Sequence, residues 1–400
     1  MRQIHYAMWQ IINNYKRIKQ QLYKLINPFK MKKILFFAAI LGLFACTPKT
    51  DGYIIEGTVT GENVATGKVY LSNFSRDEQI KDTADLIDGK FKFEGKVVTP
   101  ENYAVTIDGI DGRIQFFLDN SIIKIEAAAE DFSKAVVTGG VTNDLVIALR
   151  KQHEEISTKF NLDSLMKEYY AKETTPERKA EIIIIYDQSQ KESDAVDSVF
   201  FVTNPNSFYT LIQLLSKVED YTLPEMEAKV AAFKALPEFE GNRYIGLIEE
   251  SLAILKSIEV GMVAPDFTMN DPQGNPIALS SVYPNNKITM IDFWAGWCGP
   301  CRRFNPTLVE IYKKFNKAGF GILGVSLDKD AELWNKAIAD DKLTWTQVSD
   351  LQFWNSEAAK LYYVKYIPQN IFLDSEGKII KRKVSEEELV PFLKEYLGVK

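Results

Sequence analysis

The chain has 400 residues, 46% of them apolar and 12% aromatic, which is enough to build ordinary packed cores in two or three domains and excludes a disordered or fibrous protein. Net charge is −6, but the first 33 residues carry eight of the 48 basic residues and no acid, so the remainder, with 40 basic against 54 acidic residues, is near −14. An acidic body argues against nucleic acid as a partner.

Met31-Lys32-Lys33, the apolar run Ile34 to Phe44 and then Ala45-Cys46 follow the plan of a secretory signal: a basic flank, an apolar stretch of about 7–15 residues and a small residue before the cut. The run is too short to cross a membrane, which takes about 20 residues. Leu43-Phe44-Ala45-Cys46 resembles a bacterial lipobox, in which the thiol takes a lipid and the preceding peptide is removed. That resemblance makes 31–45 a lipoprotein signal peptide and Cys46 the lipidation site that ties the mature protein to a membrane. The other reading is a plain signal peptide with a chance cysteine. Residues 1–30 are either an over-extended reading frame, with translation starting at Met31, or an interfacial helix, since Ile4, Met8, Ile11, Tyr15, Ile18, Leu22 and Leu25 recur at helical spacing among Lys and Arg. Residues 46–52, with Pro48 and Gly52, read as a tether.

From Tyr53 the pattern is one of strands: Tyr53 to Val59, Lys68 to Phe74, Lys90 to Phe93, Tyr103 to Ile107, Ile114 to Leu118 and Ile122 to Glu126. Turn signals at Asp88-Gly89 and Asp111-Gly112 give 53–140 the rhythm of a small antiparallel β-sandwich with no catalytic constellation. Past Gly139-Gly140 the period becomes helical through Leu145 to Lys172, Pro176 to Phe200, Ser207 to Leu215, Leu223 to Leu236 and Tyr244 to Ile258, so 141–257 reads as a helical spacer. His153, among charged neighbours there, is expected to be a solvated surface residue.

Gly261 to Phe267 opens a third region, 258–400, in which strands alternate with helices. Ile288 to Phe293, Gly321 to Ser326, Ile371 to Asp374 and Ile379 to Lys383 read as strands; Cys298 to Phe315, Ala331 to Asp340 and Glu386 to Tyr396 read as helices. Such alternation builds a mixed sheet with helices on its faces.

The chemistry concentrates in Trp294-Ala295-Gly296-Trp297-Cys298-Gly299-Pro300-Cys301, which holds two of only three cysteines. A zinc site takes about four protein ligands, or three with a water, and two thiols with one distant histidine fall short of that. A structural disulfide across two residues closes so small a loop that chain entropy supplies only about 2 kcal/mol. A redox pair fits better, provided something recharges it in an oxidising compartment. Cys298, at the start of a helix that follows a strand, meets unpaired N–H groups and a dipole that favour a thiolate, and is the expected nucleophile. Cys301, one turn further in, is placed to attack a mixed disulfide. Pro300 suits a first helical turn and Gly299 leaves room for close approach. Arg302 and Arg303 either lower the thiol pKa or are simply solvated, and Pro306 is expected to kink the helix. Asp292, set between Ile291 and Phe293, is a carboxylate in an apolar strand whose pKa should rise, a candidate proton acceptor for Cys301 beside the alternative of a structural acid.

Ile291-Asp292-Phe293-Trp294-Ala295 leading into Trp297-Cys298-Gly299-Pro300-Cys301 resembles the active-site segment of thioredoxin-fold proteins, and Gly261 to Phe267 with Asp271-Pro272-Gln273-Gly274-Asn275-Pro276 narrows this to the exported, membrane-attached TlpA/ResA-like branch. The resemblance covers roughly Ile258 to Lys400. It implies a C-terminal α/β thioredoxin-like fold, which with the strand and helix patterns before it makes a multidomain protein: an N-terminal antiparallel β-sandwich, a helical spacer and that fold. It also implies a cis bond before Pro368, with the backbone of Ile367 docking the substrate chain near Trp297, Gly299 and Pro300. Gln369-Asn370 depart from the threonine that follows this proline in many relatives.

The expected activity is thiol–disulfide exchange without a cofactor or metal. By resemblance the partners are disulfide-containing exported proteins, cytochrome c precursors among them, and a membrane thiol donor that restores the pair. The expected place is the periplasmic face of a Gram-negative envelope. A thiol peroxidase is a rival, although Ala295 stands three residues before Cys298 where peroxidases usually set a threonine; a non-enzymatic envelope adaptor is another.

Overall fold

The computed structural model describes residues 51–62, 64–73 and 80–399. Cys46, the proposed signal peptide and residues 1–30 lie outside them. The chain divides within its first long helix, between Lys151 and Gln152, into two compact units.

The first unit is a β-rich domain followed by the opening turns of that helix. Its strands are β1 (Tyr53–Thr60), β2 (Thr66–Asn73), β3 (Ile80–Ile87), β4 (Lys90–Gly95), β5 (Glu101–Ile107), β6 (Ile110–Leu118), β7 (Ile122–Ala128) and β8 (Val136–Thr138). They form one eight-stranded sheet in the order β6-β5-β2-β3-β4-β1-β7-β8. Strand alternation places Ile55, Val69, Leu71, Leu86, Ile114 and Ile123 on inward faces that share a single core. Pairing is antiparallel except between β1 and β7, which run parallel with Ile54 opposite Ile122.

Four features here differ from the sequence expectation: β1 and β7 pair in parallel where an antiparallel sandwich was expected, the short β8 was not expected, and β3 and one turn also depart from it. β3 was not expected, because only Leu86 of its eight residues is buried and no apolar alternation marks it. The β5–β6 turn falls at Asp108-Gly109, with Ile107 opposite Ile110, and not at Asp111-Gly112. Both dipeptides suit a tight turn; Gly112, at φ 99, lies inside β6 instead.

The helices are α1 (Val141–Phe160), α2 (Leu162–Tyr170), α3 (Pro176–Thr203), α4 (Phe208–Ser216), α5 (Leu223–Lys234) and α6 (Arg243–Ser257). Asn161, in the left-handed region, ends α1 where the sequence suggested one continuous helix. Thr175 and Ser207 cap α3 and α4 by accepting from backbone N–H groups, and α5 starts with a capping box at Thr222 and Glu225.

The C-terminal α/β region is thioredoxin-like. Its sheet holds β9 (Thr268–Asn270), β10 (Pro276–Ala278), β11 (Ile288–Trp294), β12 (Phe320–Ser326), β13 (Thr346–Ser349), β14 (Gln369–Asp374) and β15 (Ile379–Arg382) in the order β10-β9-β13-β12-β11-β14-β15. Its helices are α7 (Gly299–Phe315), α8 (Ala331–Asp341), α9 (Glu357–Leu361) and α10 (Glu386–Leu397). β11 is central, parallel to β12 and antiparallel to β14. This places its carboxyl end, and the cysteines beyond it, at the edge of the sheet where sites are built in open α/β folds.

Candidate active site

All seven residues of β11 are buried, as a central strand demands, and Asp292 is the one charged residue among them. Its register partners are Gly324 on β12 and Asn370 on β14. The Asn370 side chain is committed elsewhere: its Nδ2 donates to the Val384 carbonyl and its Oδ1 accepts from the Val384 N–H, each at 2.8 Å. Burial alone therefore acts on Asp292 and pushes its carboxyl up to about 7. A carboxylate in that state can take and return a proton near neutral pH.

Beyond Trp294 the chain leaves the sheet and Cys298 caps α7, its Sγ accepting from the Cys301 N–H at 3.2 Å. Cys298 and Cys301 form a disulfide with Cα atoms 5.3 Å apart, and the two residues are 4% and 1% exposed. When the bond is reduced, Cys298 Sγ stays at the helix N-terminus, where unpaired N–H groups favour the thiolate. Pro300 occupies the first turn, and α7 runs on through Pro306.

The loop between strand and helix is gripped on both sides. The Gly296 N–H donates to Asp328 Oδ2 at 2.8 Å, and Ser326 Oγ donates to the same oxygen at 2.7 Å. On the other side Arg302 Nη1 donates to the Gly296 carbonyl at 3.1 Å, while Nε and Nη2 hold Asp341 at 2.5 and 2.9 Å. Arg302 is thus neither simply solvated nor free to serve the thiol: its whole fork is engaged. Asp328 and Asp341 were not singled out by sequence. Asp328 had a signal, since it stands two residues past the carboxyl end of a parallel strand beside the motif strand.

The Ile367–Pro368 peptide bond is cis. β14 opens at Gln369, opposite Phe293, so Pro368 falls one step beyond the register, alongside Trp294. Ile367 and Pro368 are half-buried, and Gln369 is buried. Trp297 is exposed, with its Nε1 donating to the Leu327 carbonyl at 3.4 Å. The structure therefore gathers Trp297, Gly299, Pro300, Cys298, Cys301 and the cis-proline segment at the carboxyl end of β11, with Asp292 two residues back inside that strand. His153 is elsewhere, on α1, partly exposed and with Nε2 3.0 Å from Asp197 Oδ1.

A cysteine pair at a helix N-terminus, a buried acid on the strand before it and a cis-proline on the neighbouring strand define a thioredoxin-fold thiol–disulfide oxidoreductase. Residues 260–382 match the AhpC/TSA family and residues 53–146 a domain of unknown function, DUF4369; the chain belongs to the ResA-like thiol-disulfide oxidoreductases. The thiol-disulfide oxidoreductase ResA of Geobacillus thermodenitrificans is 30% identical over 125 residues, which span 31% of this chain and 69% of that protein. ResA of Bacillus thuringiensis subsp. konkukian is 28% identical over 142 residues, 36% of this chain and 79% of that protein. Among solved structures, a thiol-disulfide oxidoreductase from Bacteroides fragilis is 38% identical, with 33% of this chain and 98% of that one covered and a TM-score of 0.32.

Proposed function

We propose that this oxidoreductase works in the reducing direction on disulfides of exported proteins, held at the periplasmic face of an envelope membrane by a lipid on Cys46. The observation that carries the chemistry is the Cys298–Cys301 pair at the start of α7, just past the strand that holds the buried Asp292. The lipobox-like Leu43-Phe44-Ala45-Cys46 supports the anchor.

In the first step the Cys298 thiolate attacks one sulfur of a client disulfide, forming a mixed disulfide and expelling the other client sulfur as a thiolate that takes a proton. Cys301 then gives its proton to Asp292 and attacks Cys298 Sγ, expelling the second client thiolate. Two electrons have passed to the client, and the pair ends as the disulfide. An external dithiol donor must return two electrons and two protons for another cycle. Gly-Pro between the cysteines resembles reductants more than strong oxidants, and cytochrome c precursors awaiting haem are one client class suggested by the resemblance.

The test is the reduction potential of the pair together with trapping. A potential near that of thioredoxin, about −270 mV, supports a reductant, whereas one near about −120 mV reverses the direction. A Cys301→Ser variant should accumulate mixed disulfides through Cys298; partners recovered without Cys298 would favour an adaptor. Rapid turnover of a hydroperoxide by the reduced pair would favour a peroxidase instead.

A further inference from the structure

Trp297 does not stand alone beside the nucleophile. It is 47% exposed, and Phe353 and Trp354, 37% and 38% exposed, approach it from the loop after β13. Ring centroids are 5.2 Å apart for Trp297 and Phe353, 6.0 Å for Trp297 and Trp354, and 5.8 Å for Phe353 and Trp354. Three large rings that touch at the surface leave apolar faces in water, which the hydrophobic effect opposes.

The rings are held there. Trp297 Nε1 is tied to the Leu327 carbonyl, and Asp350 pins the other loop by accepting from the backbone N–H groups of Gln352 and Glu357 at 3.0 and 2.8 Å. Phe353 also sits at φ 54, in the left-handed region that its Cβ disfavours and that glycine adopts freely. Stability alone would be better served by glycine at this position.

Trp297 directly precedes Cys298, so this aromatic surface is continuous with the place to which a client disulfide must come. Lys329, with its ammonium 6.0 Å from the Phe353 ring centroid, sets a positive rim that disfavours a basic neighbour. We infer that Trp297, Phe353 and Trp354 form a docking platform for an extended client segment carrying an aromatic side chain beside its reactive cysteine. This rests on the disulfide-reducing reading above. Rings pack on rings with a gain beyond their buried area, and a platform already ordered loses little freedom on binding.

The test compares two synthetic disulfide peptides, identical except for Phe or Ser next to the cysteine, with hydroxyethyl disulfide as a small reference. Each is used to oxidise the reduced full-length protein. The Phe peptide should react about three- to tenfold faster than the Ser peptide, the range that one aromatic contact supplies. In a Phe353→Gly, Trp354→Ala variant that ratio should fall to near one, and Phe353→Gly alone should melt no lower than the parent. Equal rates for the two peptides with the parent protein, or an unchanged ratio in the variant, overturn the platform. Failure of all three disulfides to oxidise the pair instead removes the reducing reading, and the platform with it.

Discussion

Arg302 lies on α7 yet reaches back to the loop before it, donating from Nη1 to the Gly296 carbonyl at 3.1 Å. The same guanidinium forks onto Asp341, a largely buried carboxylate that Asn305 Nδ2 also approaches at 2.7 Å. Helix, loop and the end of α8 are joined through one side chain. Lysine has a point charge and no fork, so it cannot make all three contacts. Arg302→Lys should cost about 1.5–3 kcal/mol, the value of hydrogen bonds to a charged group, read from urea unfolding of the oxidised protein. A cost within experimental error of zero would mean that the fork is ornamental.

Asp292 sets a pH dependence whose sign follows from burial. An unfolded Asp titrates near about 3.9, whereas burial pushes this one up to about 7. Below the lower value both states hold the proton. Between the two, the unfolded chain releases it and the folded chain retains it, so stability falls as pH rises through the window and levels off above 7. The span corresponds to a cost on the order of 4 kcal/mol. Asp292→Asn should remove this slope, so that its stability overtakes the parent's progressively from about pH 4 to 7 in denaturant titrations. Parallel curves for the two proteins would contradict a raised carboxyl.

The same residue shows why the redox site was readable in sequence. An acid between Ile291 and Phe293 violates the apolar pattern of a buried strand, and a Cys-Gly-Pro-Cys run after that strand fixes a helix start within one residue. β3 was unreadable for the opposite reason: a solvent-facing sequence such as Ile80-Lys81-Asp82-Thr83-Ala84 has no alternation to reveal it, and pairing with β2, and at Ile87 with β4, makes it a strand. The Asp108-Gly109 turn lost to Asp111-Gly112 in the sequence because local turn chemistry is equal at both, whereas the register of Val69 opposite Ile107 decides between them. Asp328, Asp341 and the Phe353–Trp354 pair reach the site through tertiary folding, which spacing along the chain does not encode.

Glu219, in the turn after α4, joins the helical segment to β15. It lies 2.7 Å from Lys383 Nζ and 3.5 Å from Arg382 Nη2. Arg382 is mostly buried, and that burial lowers its pKa while Glu219 opposes the shift. Glu219→Ala leaves a buried cation without its nearest partner and should destabilise by about 1–3 kcal/mol. Amide exchange should quicken at residues 218–220 and 379–382 ahead of the rest of the sheet. Uniform protection, unchanged from the parent, would show that the two segments do not depend on this contact.

Gly324, opposite Asp292 on β12, gives up its side-chain space to Gln347 from β13. A Cβ added there would fall on the Gln347 carboxamide, whose Oε1 accepts from Trp294 Nε1 at 2.9 Å. Gln347 is buried and cannot swing into solvent, so Gly324→Ala should both overpack the sheet and break the tryptophan's hydrogen bond, at a cost of about 1–3 kcal/mol. Gln347→Ala alone loses that bond and leaves a void. In the double variant the new methyl enters the space that the amide vacates, and the combined penalty should be smaller than the sum of the two by at least about 0.5 kcal/mol. Additive costs would mean that the two residues do not share the space that the geometry assigns to them.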